Sequence, residues 1–306
     1  MLLAVIQLGV PLLLAAWLWL WPSRNGFVLT LQIVALVAVM IALWMAGIWT
    51  LVPRWSLAVI ALFALIAAIR GARRRASALS GWALAQAFVS IALLMVGGFA
   101  ISEAWRAHQP PPIESIRLAL PIDGDDVVVA NGGSKLLLNA HQDTLDLSVP
   151  RHRLWFGQSY GVDLVVLRPN GITSNGFRPS DPKRYAIFGR AVRAPCAGQV
   201  VTISDGRPDL AVPTVDAKVK EGNHIRIRCG DVEIVLAHLK RGSLKVRERA
   251  RVTTGQIIAA VGNSGMSDEP HLHIHAQMPG TADVPFSGKP VAMLFNGRFL
   301  ARNDRI

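Results

Sequence analysis

Four long apolar runs occupy the first hundred residues, whereas the rest of the 306-residue chain alternates between short apolar and polar segments. The runs span residues 2–21, 28–51, 55–69 and 81–101. About 20 consecutive apolar residues cross the hydrocarbon core of a bilayer, and the shorter third run extends back through Val52 and Pro53. The pattern therefore predicts four transmembrane helices within residues 1–104. The alternative, a buried helical bundle in a soluble protein, is disfavoured by the short basic or polar turns between the runs.

The loops between these runs predict their orientation. The first run has no Lys or Arg before Arg24 and ends in tryptophans, so it reads as a retained span rather than a cleaved signal. Short loops rich in Lys and Arg lie in the cytoplasm. Arg54 lies alone between the second and third runs. The other five arginines would face the cytoplasm, which places both chain termini outside it: Arg24, Arg70, Arg73, Arg74 and Arg75.

The remainder of the chain has the pattern of a β-rich domain. Three prolines in the segment 105–115 favour a stiff, extended linker. From residue 116 to residue 306, short β-prone runs are broken by Gly, Pro, Asn and Asp. We therefore predict an all-β extracytoplasmic domain, a β-sandwich or an open barrel, after the four-helix transmembrane region.

Individual strands and loops follow from the same pattern. Residues 126–141 read as a hairpin with its turn at Asn131-Gly132-Gly133, and residues 224–239 read as two strands joined at Cys229-Gly230-Asp231. Two stretches, 168–184 and 205–222, are polar and rich in Pro, Gly and Asp. Loops of this length on a compact β domain often wall a binding site, although plain surface insertions are the alternative.

Composition narrows the partners and the compartment. The net charge is +12, of which residues 1–104 contribute +5 through six Arg and one Glu, leaving +7 for the remainder. A basic domain suits an anionic membrane surface or cell-wall polymer. Basic and aromatic residues do not interleave as in strand-binding platforms, so nucleic acid is not expected. The two cysteines, Cys196 and Cys229, could form one disulfide in an extracytoplasmic domain; two isolated buried thiols are the alternative.

The segment HLHIH carries the most informative polar pattern of the chain. His271, His273 and His275 occupy alternate positions, and alternate side chains of a β-strand share one face at a spacing of about 6–7 Å. Leu272 and Ile274 would point into the core. The pattern indicates either a metal and catalytic site or a solvated strand face that happens to be rich in histidine.

Two further residues are candidate partners of this segment. Asp163 lies in QSYGVDLVVL, at or near the start of an apolar strand, and His238 lies in VLAHLKRGS, at the end of another. A zinc hydrolase needs three His, Asp or Glu ligands with an open fourth position. It also needs a proton acceptor and a donor to the oxyanion. Asp163, His238, His271 and His273 nearly supply this set.

Several segments together resemble one family. YGVDLV, LAHL and GNSGMSDEPHLHIH carry the candidate residues, and APCAGQV and TTGQIIAAVG resemble its flanking strands. The family is M23, the LytM- or lysostaphin-like zinc metallopeptidases, which are β-rich cell-wall endopeptidases. The resemblance covers roughly residues 125–280. It implies that Asp163 and His273 bind Zn²⁺, that His271 accepts the proton of the attacking water, and that His238 donates to the oxyanion.

The third zinc ligand departs from the family pattern. The family has a His-x-x-x-Asp motif, and the position four residues before Asp163 is Ser159. Two histidines are candidate substitutes: His141, in LLLNAH, and His152, in PRHRLW. The segments NAH and QSYGVD also resemble a branch of the family with an Asn-x-His upstream of a Gln-x-Tyr-x-x-Asp. We favour His141 and keep His152 as the alternative. For each of them, the alternative to metal binding is an ordinary surface histidine.

The resemblance implies a membrane-anchored zinc endopeptidase that cuts peptide bonds of peptidoglycan. Its partners would be peptidoglycan and the lipid bilayer, and its location the bacterial inner membrane with the C-terminal domain in the periplasm or its equivalent. Ser159 supports a second hypothesis, a catalytically impaired M23-like module that binds the wall or regulates other wall hydrolases. Retention of His238 and His271 opposes it. A transporter or sensor with a β appendage is disfavoured, because the four runs carry no internal charge.

Overall fold

The computed structural model describes residues 2–74 and 77–306 of the chain, without the side chains of residues 2–4. Arg75, which we counted in the basic loop, lies outside the described residues. The chain divides into two compact units, Met1–Arg106 and Ala107–Ile306.

The N-terminal unit contains four helices, α1 (Leu2–Leu20), α2 (Gly26–Ala46), α3 (Trp55–Ala72) and α4 (Gly81–Ala107). Among the described residues, α2, α3 and α4 are long and apolar enough to cross a membrane, whereas the apolar stretch of α1, Val5–Leu20, is shorter. The structure therefore gives three candidate spans where the sequence predicts four. Helix α4 also continues to Ala107, so the first residues of the predicted linker are helical.

The apolar side chains of this unit divide into a small core and a large exposed surface. Ala15 and Leu18 of α1 pack with Leu36 of α2 and Ala67 of α3. Phe88 and Phe99 of α4, in contrast, are 76% and 70% exposed. Contiguous apolar surface of this kind is rare on soluble monomers and marks a lipid- or protein-facing surface.

The C-terminal unit is a curled β-sheet domain, with one short helix, α5 (Pro150–Arg153). Its main sheet has ten strands in the order β1-β11-β10-β7-β6-β5-β8; β3 also pairs with β10, β2 with β3, and β12 with β11, while β4 and β9 form a separate pair. The strands are β1 (Ser115–Leu118), β2 (Val127–Asn131), β3 (Val162–Val166), β4 (Ala191–Arg193), β5 (Gly198–Ser204), β6 (His224–Cys229), β7 (Val232–Ala237), β8 (Arg251–Val252), β9 (Ile257–Ala260), β10 (Leu272–Gln277), β11 (Pro290–Phe295) and β12 (Arg298–Phe299).

Strand β10 is central to this sheet and carries the histidine pattern. Leu272 and Ile274, on one face, are fully buried in the main apolar core, as the alternation predicts. On the other face, His273 lies opposite Asp163 of β3 on one side and Ala237 of β7 on the other. The pairing of β10 with both neighbours thus brings three distant segments of the chain together.

One predicted hairpin is wrong. Strand β2 pairs with β3 rather than with residues 135–141, and those residues form turns followed by a 3₁₀ helix, Ala140–Leu145. Strand β3 takes one edge of β2 and residues 303–306 hydrogen-bond to the other. The predicted second strand therefore has no edge to pair with, and Leu136 and Leu137 remain 58% and 41% exposed. The predicted turn at Cys229-Gly230-Asp231 is confirmed, since it joins β6 to β7 with Gly230 at φ 63°.

Cys196 and Cys229 form a disulfide, with their Cα atoms 6.2 Å apart. The bond joins the segment before β5 to the end of β6, which are 33 residues apart in sequence. Closing a loop of this length stabilises a domain by about 3–4 kcal/mol through the lost entropy of the unfolded chain. Disulfides persist mainly outside the reducing cytoplasm.

Candidate functional site

Three strands position the predicted residues at one end of the sheet. Asp163 lies on β3, His273 lies opposite it on β10, and His238 directly follows β7. The Nδ1 atom of His273 lies 2.8 Å from Oδ1 of Asp163, and Nε2 of His271 lies 3.7 Å from the same oxygen. The rings of His238 and His271 are 4.6 Å apart between centroids. The structure thus brings these four residues together.

His141 joins this cluster from the 3₁₀ helix that replaces the predicted strand. Its Nε2 atom lies 3.6 Å from Oδ2 of Asp163, and its ring lies 4.7 Å from that of His273. Its Nδ1 atom lies 2.9 Å from Oδ1 of Asn139 and 3.1 Å from Nδ2 of Asn131. In the tautomer that donates to Asn139, Nε2 carries the free lone pair on the side of Asp163. Asn139 caps this helix as well, because its Oδ1 accepts from the backbone N–H of His141.

Glycine at position 161 permits this close approach. A Cβ atom there would lie 2.8 Å from Cε1 of His273 and 3.4 Å from Nδ1 of His141. Any side chain at Gly161 would therefore displace the His273 ring or the Gln158 carbonyl, which lies 2.9 Å from the same Cβ position.

His141, Asp163 and His273 have the donor set that zinc prefers. One ligand atom from each residue lies within 4.8 Å of the other two, and two imidazole nitrogens with one carboxylate oxygen match a catalytic zinc site. The surrounding hydrogen bonds also suit a metal. Asn131 Nδ2 donates to Oδ2 of Asp163 over 3.2 Å, in addition to the Asn139 contact. Such outer bonds orient metal ligands, so the residues present fit the ion.

Neither Ser159 nor His152 takes part in this grouping. The Ser159 side chain is buried; its hydroxyl donates to the Phe156 carbonyl over 2.7 Å and lies 2.8 Å from Oγ1 of Thr144. Thr144 in turn donates to the backbone carbonyl of His141. Ser159 therefore supports the turn that carries His141. His152, in α5, instead donates from Nδ1 to the Asp146 carbonyl on the surface.

Burial and neighbouring charges set the protonation of the cluster. Burial lowers the pKa of His141 to about 4, despite the nearby Asp163 carboxylate. Burial alone would raise the pKa of Asp163, but His141, His271 and His273 outweigh it and hold that pKa well below its usual value. At neutral pH the cluster therefore contains an ionised carboxylate and a neutral His141, which are the protonation states that bind metal.

Backbone carbonyls fix the tautomers of His271 and His238. The Nδ1–H of His271 donates to the Glu269 carbonyl over 2.8 Å, and the Nδ1–H of His238 donates to the Ser264 carbonyl over 2.9 Å. In a neutral imidazole only one nitrogen carries a proton, so Nε2 of each ring is an acceptor. His271 is therefore arranged to take up a proton. Donation from Nε2 of His238 requires the protonated imidazolium.

His238 also has an unusual backbone. Its φ is 60°, in the left-handed region that non-glycine residues rarely adopt. Its N–H donates to the Glu221 carbonyl, and its own carbonyl accepts from the N–H of Gly262, each over 3.0 Å. Strain of this kind is often stored at functional sites. Burial, together with His271 and His273, lowers the pKa of the His238 imidazole well below its usual value.

His275 is a buried neighbour of the cluster and not a solvated residue. It is 1% exposed, and its Nδ1 atom lies 2.9 Å from Nε2 of His273. That contact orients the His273 ring so that Nδ1 faces Asp163. The alternating pattern identified His275, but only the strand pairing shows that it contacts His273.

A cavity of about 230 Å³ opens beside the cluster. Its wall also contains residues that were not predicted from the sequence, among them Lys220 and Glu221, which lie at the end of the polar stretch 205–222. That stretch contains no strand and reaches the site, as a binding-site wall would. The lining residues are His141, Gln158, Asp163, Lys220, Glu221, Ala237, His238, Met266, Asp268, His271 and His273.

We expect His141→Ala to weaken zinc binding by more than about 100-fold, because a site with three protein ligands would retain two; outer-shell substitutions alone cost about 10–100-fold. His152→Ala is the matched control and should leave the affinity unchanged. Competition with a chromophoric chelator on the full-length protein measures both affinities. The assignment of His141 is wrong if the His152 variant, and not the His141 variant, loses zinc.

Comparisons with known proteins relate the domain to one family. Residues 184–285 match peptidase family M23, a segment that includes His238, His271 and His273 but begins after His141 and Asp163. Two solved structures are similar to part of the chain. The catalytic domain of lysostaphin from Staphylococcus simulans is 23% identical over 41% of this chain and 71% of its own, with a TM-score of 0.27. A point mutant of the catalytic domain of the prophage-encoded M23 protein EnpA from Enterococcus faecalis is 17% identical over 52% and 87%, with a TM-score of 0.32. No curated protein sequence matches the chain.

Proposed function

Because the C-terminal domain of this chain belongs to peptidase family M23, we propose that the protein is a membrane-anchored zinc endopeptidase that hydrolyses peptide bonds of peptidoglycan. The observation that carries this proposal is the grouping of His141, Asp163 and His273 beside His238 and His271. These are a metal-binding set and an acid–base pair around one cavity.

His141, Asp163 and His273 would hold the zinc ion through Nε2, a carboxylate oxygen and Nδ1. When bound, zinc supplies a Lewis acid that polarises the scissile carbonyl and lowers the pKa of water. His271 accepts the proton of the attacking water at Nε2, since its Nδ1–H is held by the Glu269 carbonyl. Proton transfer of this kind contributes about 10²–10⁴-fold to a rate.

His238 completes the site as the donor to the oxyanion. Because Ser264 holds its Nδ1–H, the ring donates from Nε2 only after it has gained a proton. Burial lowers the pKa of His238 well below its usual value, so its imidazolium gives up a proton readily. Its ring lies 4.6 Å from that of His271 between centroids, beside the same cavity. The charged ring then donates to the developing oxyanion, which typically contributes about 10²–10³-fold.

The second hypothesis, a regulatory module without catalysis, depends on Ser159. Its hydroxyl donates to the Phe156 carbonyl and lies 2.8 Å from Oγ1 of Thr144, and Ser159 does not line the cavity. His141 lies where the missing ligand is needed, within 4.8 Å of the other two. Ser159 is therefore only weak evidence for the hypothesis that the site no longer binds a metal.

The proposed location is the inner membrane of a bacterium, with the C-terminal domain outside the cytoplasm. Three apolar helices of spanning length support the anchor, and we propose that the shorter apolar helix α1 is a fourth span. The Cys196–Cys229 disulfide supports an oxidising compartment. The arginines of the α1–α2 and α3–α4 loops support a cytoplasmic position for those loops.

Incubation of the full-length protein with purified peptidoglycan tests the proposed activity. We expect new amino groups to appear as peptide bonds are cleaved. A chelator should stop this hydrolysis, and added zinc should restore it. Absence of new amino groups from zinc-loaded protein would contradict the proposal.

A further inference from the structure

Lys220 holds a fixed position in the wall of the site cavity. Its carbonyl accepts from the N–H of Met266 over 2.9 Å, and the next carbonyl, of Glu221, accepts from the N–H of His238 over 3.0 Å. These bonds tie the Lys220–Glu221 backbone to both segments that carry the proposed acid–base pair. The segment is therefore pre-organised relative to the reacting groups, unlike a mobile surface loop.

An aromatic platform supports the Lys220 side chain. Its Nζ atom lies 5.1 Å from the centroid of the Trp155 ring, in a cation–π contact. Trp155 in turn stacks on Phe286, with centroids 5.4 Å apart. The Trp155 ring thus covers one side of the ammonium group, and the buried Phe286 supports that ring from behind.

The Lys220 ammonium has no carboxylate within 4 Å among residues 2–74 and 77–306, whereas two of the carboxylates in the cavity wall have partners. Asp268 pairs with Arg178 at 2.8 Å, and Asp163 contacts His273. Lys220 is half-buried, and burial lowers its pKa although the nearby Glu221 and Asp163 carboxylates act in the opposite direction. A partly buried cation gains from an anionic partner, and such charge-assisted bonds are stronger than neutral ones.

Glu221 opposes an anion in this cavity only in part near pH 7, and less at lower pH. Burial raises the pKa of its carboxyl to about 7. A large fraction of Glu221 is therefore neutral near pH 7.

On the basis of the proposed function, we propose that Lys220 and the neighbouring Trp155 ring form a carboxylate-binding subsite, which selects peptide substrates with a free carboxylate near the scissile bond. The carboxylate pairs with the ammonium, while the apolar part of the peptide packs on the half-buried Trp155 ring. Lys220 is thus a specificity-determining residue and does not take part in the bond cleavage itself.

Two synthetic stem peptides test the subsite: L-Ala-γ-D-Glu-meso-diaminopimelate-D-Ala with all carboxylates free, and the same peptide with all of them amidated. Calorimetry of the full-length protein in detergent gives the ratio of the two affinities, and hydrolysis assays give the ratio of the two kcat/KM values. We expect wild-type protein to prefer the free peptide. We expect Lys220→Met to reduce that preference about 10–100-fold, through affinity and KM. Lys220→Arg should retain most of it.

Lys218→Met is the matched control, because Lys218 is an exposed lysine of the same segment that does not line the cavity. It removes the same charge from the domain and should leave the preference unchanged. The subsite is overturned if wild-type protein binds the two peptides equally or binds neither. It is also overturned if the preference is the same in Lys220→Met. If neither peptide is hydrolysed but the binding preference is present and depends on Lys220, the proposed endopeptidase activity is contradicted. The proposed subsite is then still supported.

Discussion

Replacement of Asp163 with asparagine is expected to lower peptidoglycan hydrolysis by at least about 10³-fold and to remove zinc from the protein. Asp163 is the common neighbour of the cluster, at 2.8 Å from His273, 3.6 Å from His141 and 3.7 Å from His271. Without its charge, the imidazoles lose the only anionic ligand of the proposed set. A catalytic metal supplies several kcal/mol of transition-state stabilisation, and each 1.4 kcal/mol is about tenfold in rate.

The rate of peptidoglycan hydrolysis and the zinc content, both measured on the same preparation of the variant, test this prediction. Asp231→Asn is the matched control, since it makes the same change at an exposed turn between β6 and β7 and should leave both values unchanged. An Asp163→Asn protein that retains wild-type activity would show that the carboxylate does not hold the metal.

Replacement of His271 with alanine should lower kcat by about 10²–10⁴-fold while zinc remains bound, because the change removes the proton acceptor and none of the three proposed ligands. His271→Gln separates chemistry from packing. Its side-chain amide can still donate to the Glu269 carbonyl, as Nδ1–H does over 2.8 Å in the native protein, but it offers no basic nitrogen. Both variants should therefore lose activity to a similar degree. Recovery of activity in the glutamine variant, or loss of zinc in either variant, would contradict the role of His271 as the base.

Much of the site could be predicted from sequence because its residues lie in or beside regular strands. The alternation in HLHIH predicted both the core face, with Leu272 and Ile274 buried, and the polar face that carries His273. The apolar runs next to Asp163 and His238 likewise marked strand ends. The period of two residues in a strand fixes such faces without knowledge of the partner strands.

The rest depended on long-range contacts that a local pattern does not encode. The run KLLLNAH has the composition of a strand, but β3 takes its place beside β2, and His141 reaches Asp163 from a 3₁₀ helix capped by Asn139. Lys220 lies in an irregular segment without periodicity, so its position was not predictable. The role of His238 also changed in detail, because only the contact with Ser264 reveals which nitrogen carries the proton.

The central claim is that His141, Asp163 and His273 bind one divalent ion. Anomalous diffraction at the zinc edge, from crystals of the zinc-loaded full-length protein, tests it most directly. We predict a single strong peak between those three side chains, within about 2.0–2.2 Å of one nitrogen of each histidine and one carboxylate oxygen. A peak coordinated by other residues, or the absence of a peak from this cluster in zinc-loaded crystals, would contradict the account.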